Sequence, residues 1–157
     1  FLCDGSKRRA KKEFRNSKKL IKMPTVFTSK TQKTGEIGEN IAVKFLVKHN
    51  FLILNQNYTK KWGEIDIVAE KADKLYFIEV KSVTCETLNN VSYETSDLKP
   101  EDNMHPWKLK RLSRTIQTYL LSEKISDEKE WQVDLLVVFL DIKNKKAKIK
   151  VVSDIIL

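Results

Sequence analysis

Asp66, Glu79 and Lys81 carry charge in a stretch that otherwise reads as apolar strand. Along Leu75-Tyr76-Phe77-Ile78-Glu79-Val80-Lys81 strand alternation places Leu75, Phe77, Glu79 and Lys81 on one side, with Tyr76, Ile78 and Val80 on the other. Both faces begin apolar, which predicts a strand covered on both sides. In the preceding Gly63-Glu64-Ile65-Asp66-Ile67-Val68-Ala69, Asp66 alternates with Val68, and Ile65 with Ile67. A buried charge without a partner costs several kcal/mol or neutralises itself. The three groups are therefore partners of one another or of a bound species. Two carboxylates facing each other across a hairpin repel, and Mg²⁺, which takes a few oxygen ligands and keeps its waters, relieves that repulsion. A lysine two residues beyond one ligand then reaches the same water or oxyanion, the layout of metal-assisted phosphodiester hydrolysis. An Asp/Glu/Lys ion-pair cluster at a strand end fits the spacing equally well.

The elements that must position these groups are legible on either side. A turn around residues 72–74 closes the hairpin. Upstream, residues 34–49 have helical spacing, with Thr34 as N-cap and Glu36 and Glu39 in the first turns, where the helix dipole favours carboxylates. Ile37, Ile41, Phe45 and Val47 cover one broad arc, and Glu39 lies with Ala42, Val43 and Leu46 at i+3, i+4 and i+7. Glu39 thus sits at the edge of a buried stripe, whereas Glu36 fits better as a simple dipole-stabilising acid. His49 is placed to cap the helix C-terminus. Residues 51–55 predict a short apolar strand, and Trp62-Gly63 leads into the hairpin, Trp62 as packing or as a base-stacking ring.

Downstream, residues 84–104 are rich in polar residues, contain Pro100 and read as a long loop, either a substrate-covering flap or a disordered connection. Residues 107–124 predict a second amphipathic helix with Leu109, Leu112, Ile116, Tyr119 and Leu120 inward and Lys108, Lys110, Arg111 and Arg114 outward. The four bases form the best phosphate-binding surface of the body, or else a solvated face. Trp131 to Asp141 is almost wholly apolar, as a central strand requires, and Lys146 to Val152 alternates like an edge strand. Asp134 breaks the apolar run and reads as a structural acid paired with a helix or loop donor. There is no internal repeat, glycine-rich phosphate loop or Ser/His/Asp arrangement.

At 157 residues, 41% hydrophobic and 32% charged, the chain suits one soluble domain with a full core. It has no apolar run near the roughly 20 residues of a membrane span and no signal-peptide core. Cys3 and Cys85 are too few for a disulfide framework, which agrees with a reducing, cytoplasmic setting. The net charge of +9 is concentrated at the start: residues 1–22 carry +7 and residues 23–157 only +2. Any nucleic-acid footprint on the body must come from local patches. Residues 1–33 read as a disordered basic segment, with Met23 as the expected natural start and a phosphate-gripping arm as the rival reading. The domain proper is expected over residues 34–157.

Gly63-Glu64-Ile65-Asp66 followed by Phe77-Ile78-Glu79-Val80-Lys81 resembles the PD-(D/E)xK nuclease superfamily. The wider frame is similar to the bacterial YraN family, a relative of the archaeal Holliday junction resolvases. That frame comprises Gly38-Glu39 with Ala42 and Leu46, Ile53-Leu54 with Asn57-Tyr58, and Val133-Asp134, over roughly residues 34–157. The resemblance implies an α/β domain of restriction-endonuclease-like type, with a mixed central sheet flanked by helices. It also implies a metal-dependent endonuclease acting on branched or structured DNA. Asp66, Glu79 and the Val80 carbonyl would hold Mg²⁺, with Mn²⁺ as substitute, Glu39 would hold an outer-shell water, and Lys81 would orient or deprotonate the attacking water. Next to such a site Lys108 and Arg111 become DNA contacts, Gln117 lies on a side that reaches it, and a homodimer would match the symmetry of a four-way junction. No small-molecule cofactor is implied.

Two positions depart from the family pattern: Val83 stands where a basic residue usually follows the motif lysine, and Thr59 where one follows the Asn-Tyr pair. Lys60 and Lys61 offer a substitute for the second. The departures support a different class of function, a DNA-binding or adaptor protein that has kept the fold without the catalysis. An RNA-processing nuclease is a third reading.

Overall fold

The computed structural model describes residues 30–86, 88 and 104–157. Helix α1 (Lys30–Lys48) is followed by β1 (Leu52–Lys60), β2 (Gly63–Lys71) and β3 (Lys74–Thr84), then α2 (Pro106–Ser122), β4 (Trp131–Asp141) and β5 (Lys146–Val152). The strands form one sheet in the order β1-β2-β3-β4-β5. All neighbours are antiparallel except β3 and β4, which run parallel. A parallel pair needs a long crossover, and α2 lies within it. The result is an α/β fold with a mixed five-stranded sheet, consistent with a restriction-endonuclease-like core.

Each face of the sheet is covered by one helix. Ala42 and Leu46 of α1 pack on Ile67, Ala69, Ile78, Leu136, Val138 and Leu140. Leu112, Ile116 and Tyr119 of α2 pack on Ile65, Val68, Leu75, Phe77, Val133, Leu135, Val137 and Phe139. Strand β4 is buried without interruption from Val133 to Asp141, which explains why its apolar residues do not alternate. Asp134 accepts hydrogen bonds from Gln132 Nε2 at 2.7 Å and from the Asp154 backbone N–H at 3.0 Å, so it is a structural acid held by a loop donor.

The hairpin joining β2 and β3 turns at Ala72 and Asp73, whose φ values of 49° and 62° are those a tight two-residue hairpin needs. His49 Nδ1 lies 2.7 Å from the Phe45 carbonyl oxygen, capping α1. His105 caps the other helix, its Nδ1 accepting the Trp107 N–H at 3.4 Å.

Four local expectations are corrected. Helix α1 begins at Lys30, so Thr34 lies inside it and is not the N-cap. Strand β1 does not stop at Asn55 but continues to Lys60, paired with β2. Its polar Asn55-Gln56-Asn57 mimics a turn in sequence, yet an edge strand has room for polar side chains, and Asn55 Oδ1 accepts the Tyr119 hydroxyl at 2.9 Å. A register shift between Ile53 and Asn55 and the left-handed φ of 51° at Asn57 absorb the irregularity. Ile65 packs in the core under α2 while Ile67 packs in the core under α1, so strict alternation fails at Asp66. Lys108 turns inward and donates to Glu79. Of the expected loop over residues 84–104, Thr84 ends β3, and residues 87 and 89–103 lie outside the described residues. Of the expected disordered basic segment over residues 1–33, residues 1–29 also lie outside them, whereas residues 30–33 form the first turn of α1.

Candidate active site

The β2–β3 ladder ends at the pair Ile67 and Ile78. Continued by one step, that register would set Asp66 opposite Glu79, two acids as cross-strand neighbours, and like charges so placed destabilise a sheet. The strands part instead. The Asp66 carboxylate takes over the strand's role, its Oδ2 accepting the Val80 backbone N–H at 2.7 Å. Glu79 is only 8% exposed, and the Lys108 ammonium donates to its Oε1. That charge-assisted contact draws Lys108 off the solvent face of α2 into the site.

Gly63 permits this approach of α2. A Cβ there would lie 2.4 Å from Thr115 Oγ1 and 3.0 Å from the Arg111 carbonyl oxygen, so only glycine lets the start of β2 and the helix meet. Arg111 Nε donates to the Trp62 carbonyl at 2.7 Å and fastens the β1–β2 turn to the helix. Gly38 plays the equivalent part for α1. A Cβ at that position would stand 1.8 Å from Ser82 Oγ and 3.0 Å from Ser82 Cβ, so the helix seats on β3 beside Glu39. The Asn57 amide nitrogen, facing the carboxylates, donates to Glu39 Oε2 and to Glu64 Oε1, both at 3.2 Å.

A cleft of about 210 Å³ opens where these elements meet, lined by Gly63, Glu64, Asp66, Glu79, Trp107, Lys108, Arg111 and Leu112. Its electrostatics are those of crowded carboxylates. Burial pushes the Asp66 carboxyl up to about 7, and the Glu79 and Glu39 charges add to the effect against the Val80 N–H and the Lys108 ammonium. Burial also raises Glu39, opposed by the Asn57 amide and reinforced by Glu64, Glu36 and Glu79. Three acids from three elements thus feel one another's charge.

Asp66 and Glu79 offer hard oxygen donors whose mutual repulsion a divalent cation would relieve, so the donor set fits Mg²⁺ or Mn²⁺. Among the described residues no three His, Cys, Asp or Glu side chains stand close enough together to hold a metal ion directly. A cation there would take two side-chain carboxylates and would need other oxygen donors to complete its shell.

Of the residues singled out in the sequence, Asp66, Glu79, Lys108 and Arg111 come together in the cleft. Glu39 adjoins it and is electrostatically linked to both acids. Lys81 is half-buried two residues beyond Glu79 on β3. Lys60 and Lys61 are exposed around the β1–β2 turn, their ammonium groups 4.8 Å and 5.8 Å from the ring centroids of Tyr58 and Trp62. Gln117 is exposed farther along α2 and does not line the cleft. Two participants, the bridging amide of Asn57 and the rim carboxylate of Glu64, fall within the motifs that carry the resemblance but have no role assigned by their spacing. Asn57 lies on a strand whose extent the polar pattern hid.

The profile of the uncharacterised protein family UPF0102 matches residues 38–149, a span that includes Glu39, Asp66, Glu79, Lys81 and Lys108. A UPF0102 protein of Campylobacter jejuni subsp. doylei is 40% identical over 108 residues, covering 69% of this chain and 85% of the relative. Those of Campylobacter hominis and Caldicellulosiruptor bescii are 34% and 33% identical over 126 and 123 residues, covering 80% and 78% of this chain and 96% of each relative. The chain belongs to the UPF0102 family, which is the YraN family its motifs resemble.

Proposed function

We propose that the protein is a metal-dependent endonuclease that hydrolyses phosphodiester bonds in structured DNA. The observation that carries this reading is the parting of β2 and β3 at Asp66 and Glu79, which leaves two crowded carboxylates at the floor of an open cleft edged by Lys108 and Arg111. Asp66, Glu79 and the Val80 carbonyl would hold Mg²⁺ or Mn²⁺, with Glu39 in the outer shell. When bound, the ion would lower the pKa of water and offset charge on the phosphate.

The chain's own residues do the rest. Lys81 follows Glu79 on the same side of β3 and orients the attacking water or takes its proton as the new P–O bond forms. The old P–O bond breaks and the leaving oxygen is protonated from solvent. Lys108, which donates to Glu79 in the cleft, offers the incoming phosphate an ammonium, and Arg111 adds a second cation. Asn57 steadies Glu39.

A second reading, a DNA-binding or adaptor protein, draws on the two positions that lack a basic residue. Val83 packs against the core under α2, and Thr59 turns its Oγ1 to the Asn57 carbonyl at 3.1 Å, so neither reaches for a phosphate. The two readings part on metal. A nuclease gains thermal stability on adding Mn²⁺, loses that gain in Glu79→Ala, and cuts labelled DNA in a reaction that EDTA stops. Salt-sensitive DNA binding with no metal-induced stabilisation would favour the adaptor.

A further inference from the structure

Trp107 stands beside the carboxylates with 55% of its surface exposed, on the first turn of α2. It lines the cleft with Asp66 and Glu79, and its sequence neighbour Lys108 donates to Glu79. Leaving an indole half in water forgoes burial that a smaller or polar residue at this position would not need. The Arg111 guanidinium lies 5.5 Å from the Trp107 ring centroid, and the Arg114 guanidinium 4.6 Å from that of Trp62 in the β1–β2 turn. The hydrogen bond from Arg111 Nε to the Trp62 carbonyl makes turn and helix one edge. Flat π surfaces and cations thus alternate along the rim of the site.

Cations alone suit any phosphate backbone. An exposed indole face gains nothing from an intact duplex, whose bases are already stacked, but it gains from an unpaired base, which presents a free π-face. Arginine planes stack on bases in the same way. We propose that Trp107, with Arg111 and the Trp62-backed Arg114, forms a stacking platform for unpaired nucleotides of DNA. The substrate therefore has a single-stranded segment, or an opened junction, next to the bond that is cut. The position of the cut rests on the nuclease reading, whereas the binding does not.

The test is a titration of tryptophan fluorescence in the full chain with a single-stranded oligothymidylate, an abasic oligonucleotide of the same length and a blunt duplex, in EDTA and at fixed salt. Oligothymidylate is expected to quench emission. Trp107→Ala is expected to bind it about tenfold more weakly, the loss of one stacked base, while duplex binding is unchanged and Trp107→Phe recovers most of the affinity. Far-UV circular dichroism verifies that each variant is folded. Equal affinity of wild type and Trp107→Ala for oligothymidylate, or equal affinity of wild type for abasic and thymidine strands, would overturn the platform. Cleavage in Mn²⁺ separates the two claims. Trp107-dependent binding without cutting leaves the platform standing and the nuclease reading fallen. Cutting of a single-stranded or tailed substrate by wild type and Trp107→Ala at the same rate and with the same affinity leaves the nuclease reading standing and the platform fallen.

Discussion

The Asp66 carboxylate accepts the Val80 backbone N–H at 2.7 Å, just past the point where the β2–β3 ladder ends. One side chain thereby does two things. It satisfies an amide that the parting strands would leave without its ladder partner, and it fixes one carboxylate oxygen of Asp66 beside Glu79. Most of the candidate site follows from that contact, because strand separation creates the cleft and the fixed oxygen sets its floor.

The cost of this arrangement should show in the pH dependence of stability. The Asp66 carboxyl, raised from 3.8 to about 7 chiefly by burial and then by Glu79, holds a proton in the folded chain that the unfolded chain gives up. The contribution of the protonated acid to stability is therefore full below 3.8 and is lost as pH rises to about 7. In EDTA the urea midpoint should carry a downward slope from this group between pH 3.8 and about pH 7. Asp66→Asn, which keeps an acceptor for the Val80 N–H, should flatten it. Parallel profiles for the two proteins would contradict the assignment.

Lys108 and a divalent cation claim the same carboxylate. Removing the ammonium in Lys108→Met frees Glu79 and should tighten Mn²⁺ binding several-fold in calorimetry, while weakening DNA binding and its salt dependence, since a phosphate partner is lost. Unchanged Mn²⁺ affinity in the variant would show that the ion pair and the metal do not compete.

The sequence carried the site's acids further than it carried the site's shape. Asp66, Glu79 and Lys81 stand out because each interrupts an apolar alternation, and interruption is a local signal. The parting of the strands is not local: it depends on which residues of β2 and β3 face each other, and Ile65 changes sides there without any mark in its own pattern. The part played by Asn57 is hidden for a related reason, since its polar neighbours read as a turn although their backbones pair in an edge strand. Amphipathic spacing puts Lys108 on the outer face of its helix, because it cannot anticipate that a carboxylate on a distant strand will draw one lysine inward. The two apolar layers and the buried run of β4, by contrast, were plain from periodicity.

Two glycines set how closely the helices approach. Gly63→Ala would force a Cβ to 2.4 Å from Thr115 Oγ1 and 3.0 Å from a backbone oxygen. It should cost on the order of 1–3 kcal/mol in urea denaturation. Gly38→Ala meets mainly the Ser82 side chain, so Ser82→Ala should restore part of the lost stability, an effect read as a double-mutant cycle. Additive losses at Gly38 and Ser82 would mean the close approach of α1 to β3 is not what that glycine serves.

The central claim is that Asp66, Glu79 and Lys81 together hydrolyse a phosphodiester. It is tested most directly by incubating wild type, Glu79→Ala and Lys81→Ala with end-labelled four-way junction, flap, duplex and single-stranded DNA in Mg²⁺ or Mn²⁺. Wild type is expected to cut at least one substrate containing unpaired or branched DNA, with cleavage abolished by EDTA and by either substitution while both variants remain folded. Equal cutting by wild type and both variants, or no cutting by wild type of any substrate in either metal, would contradict it.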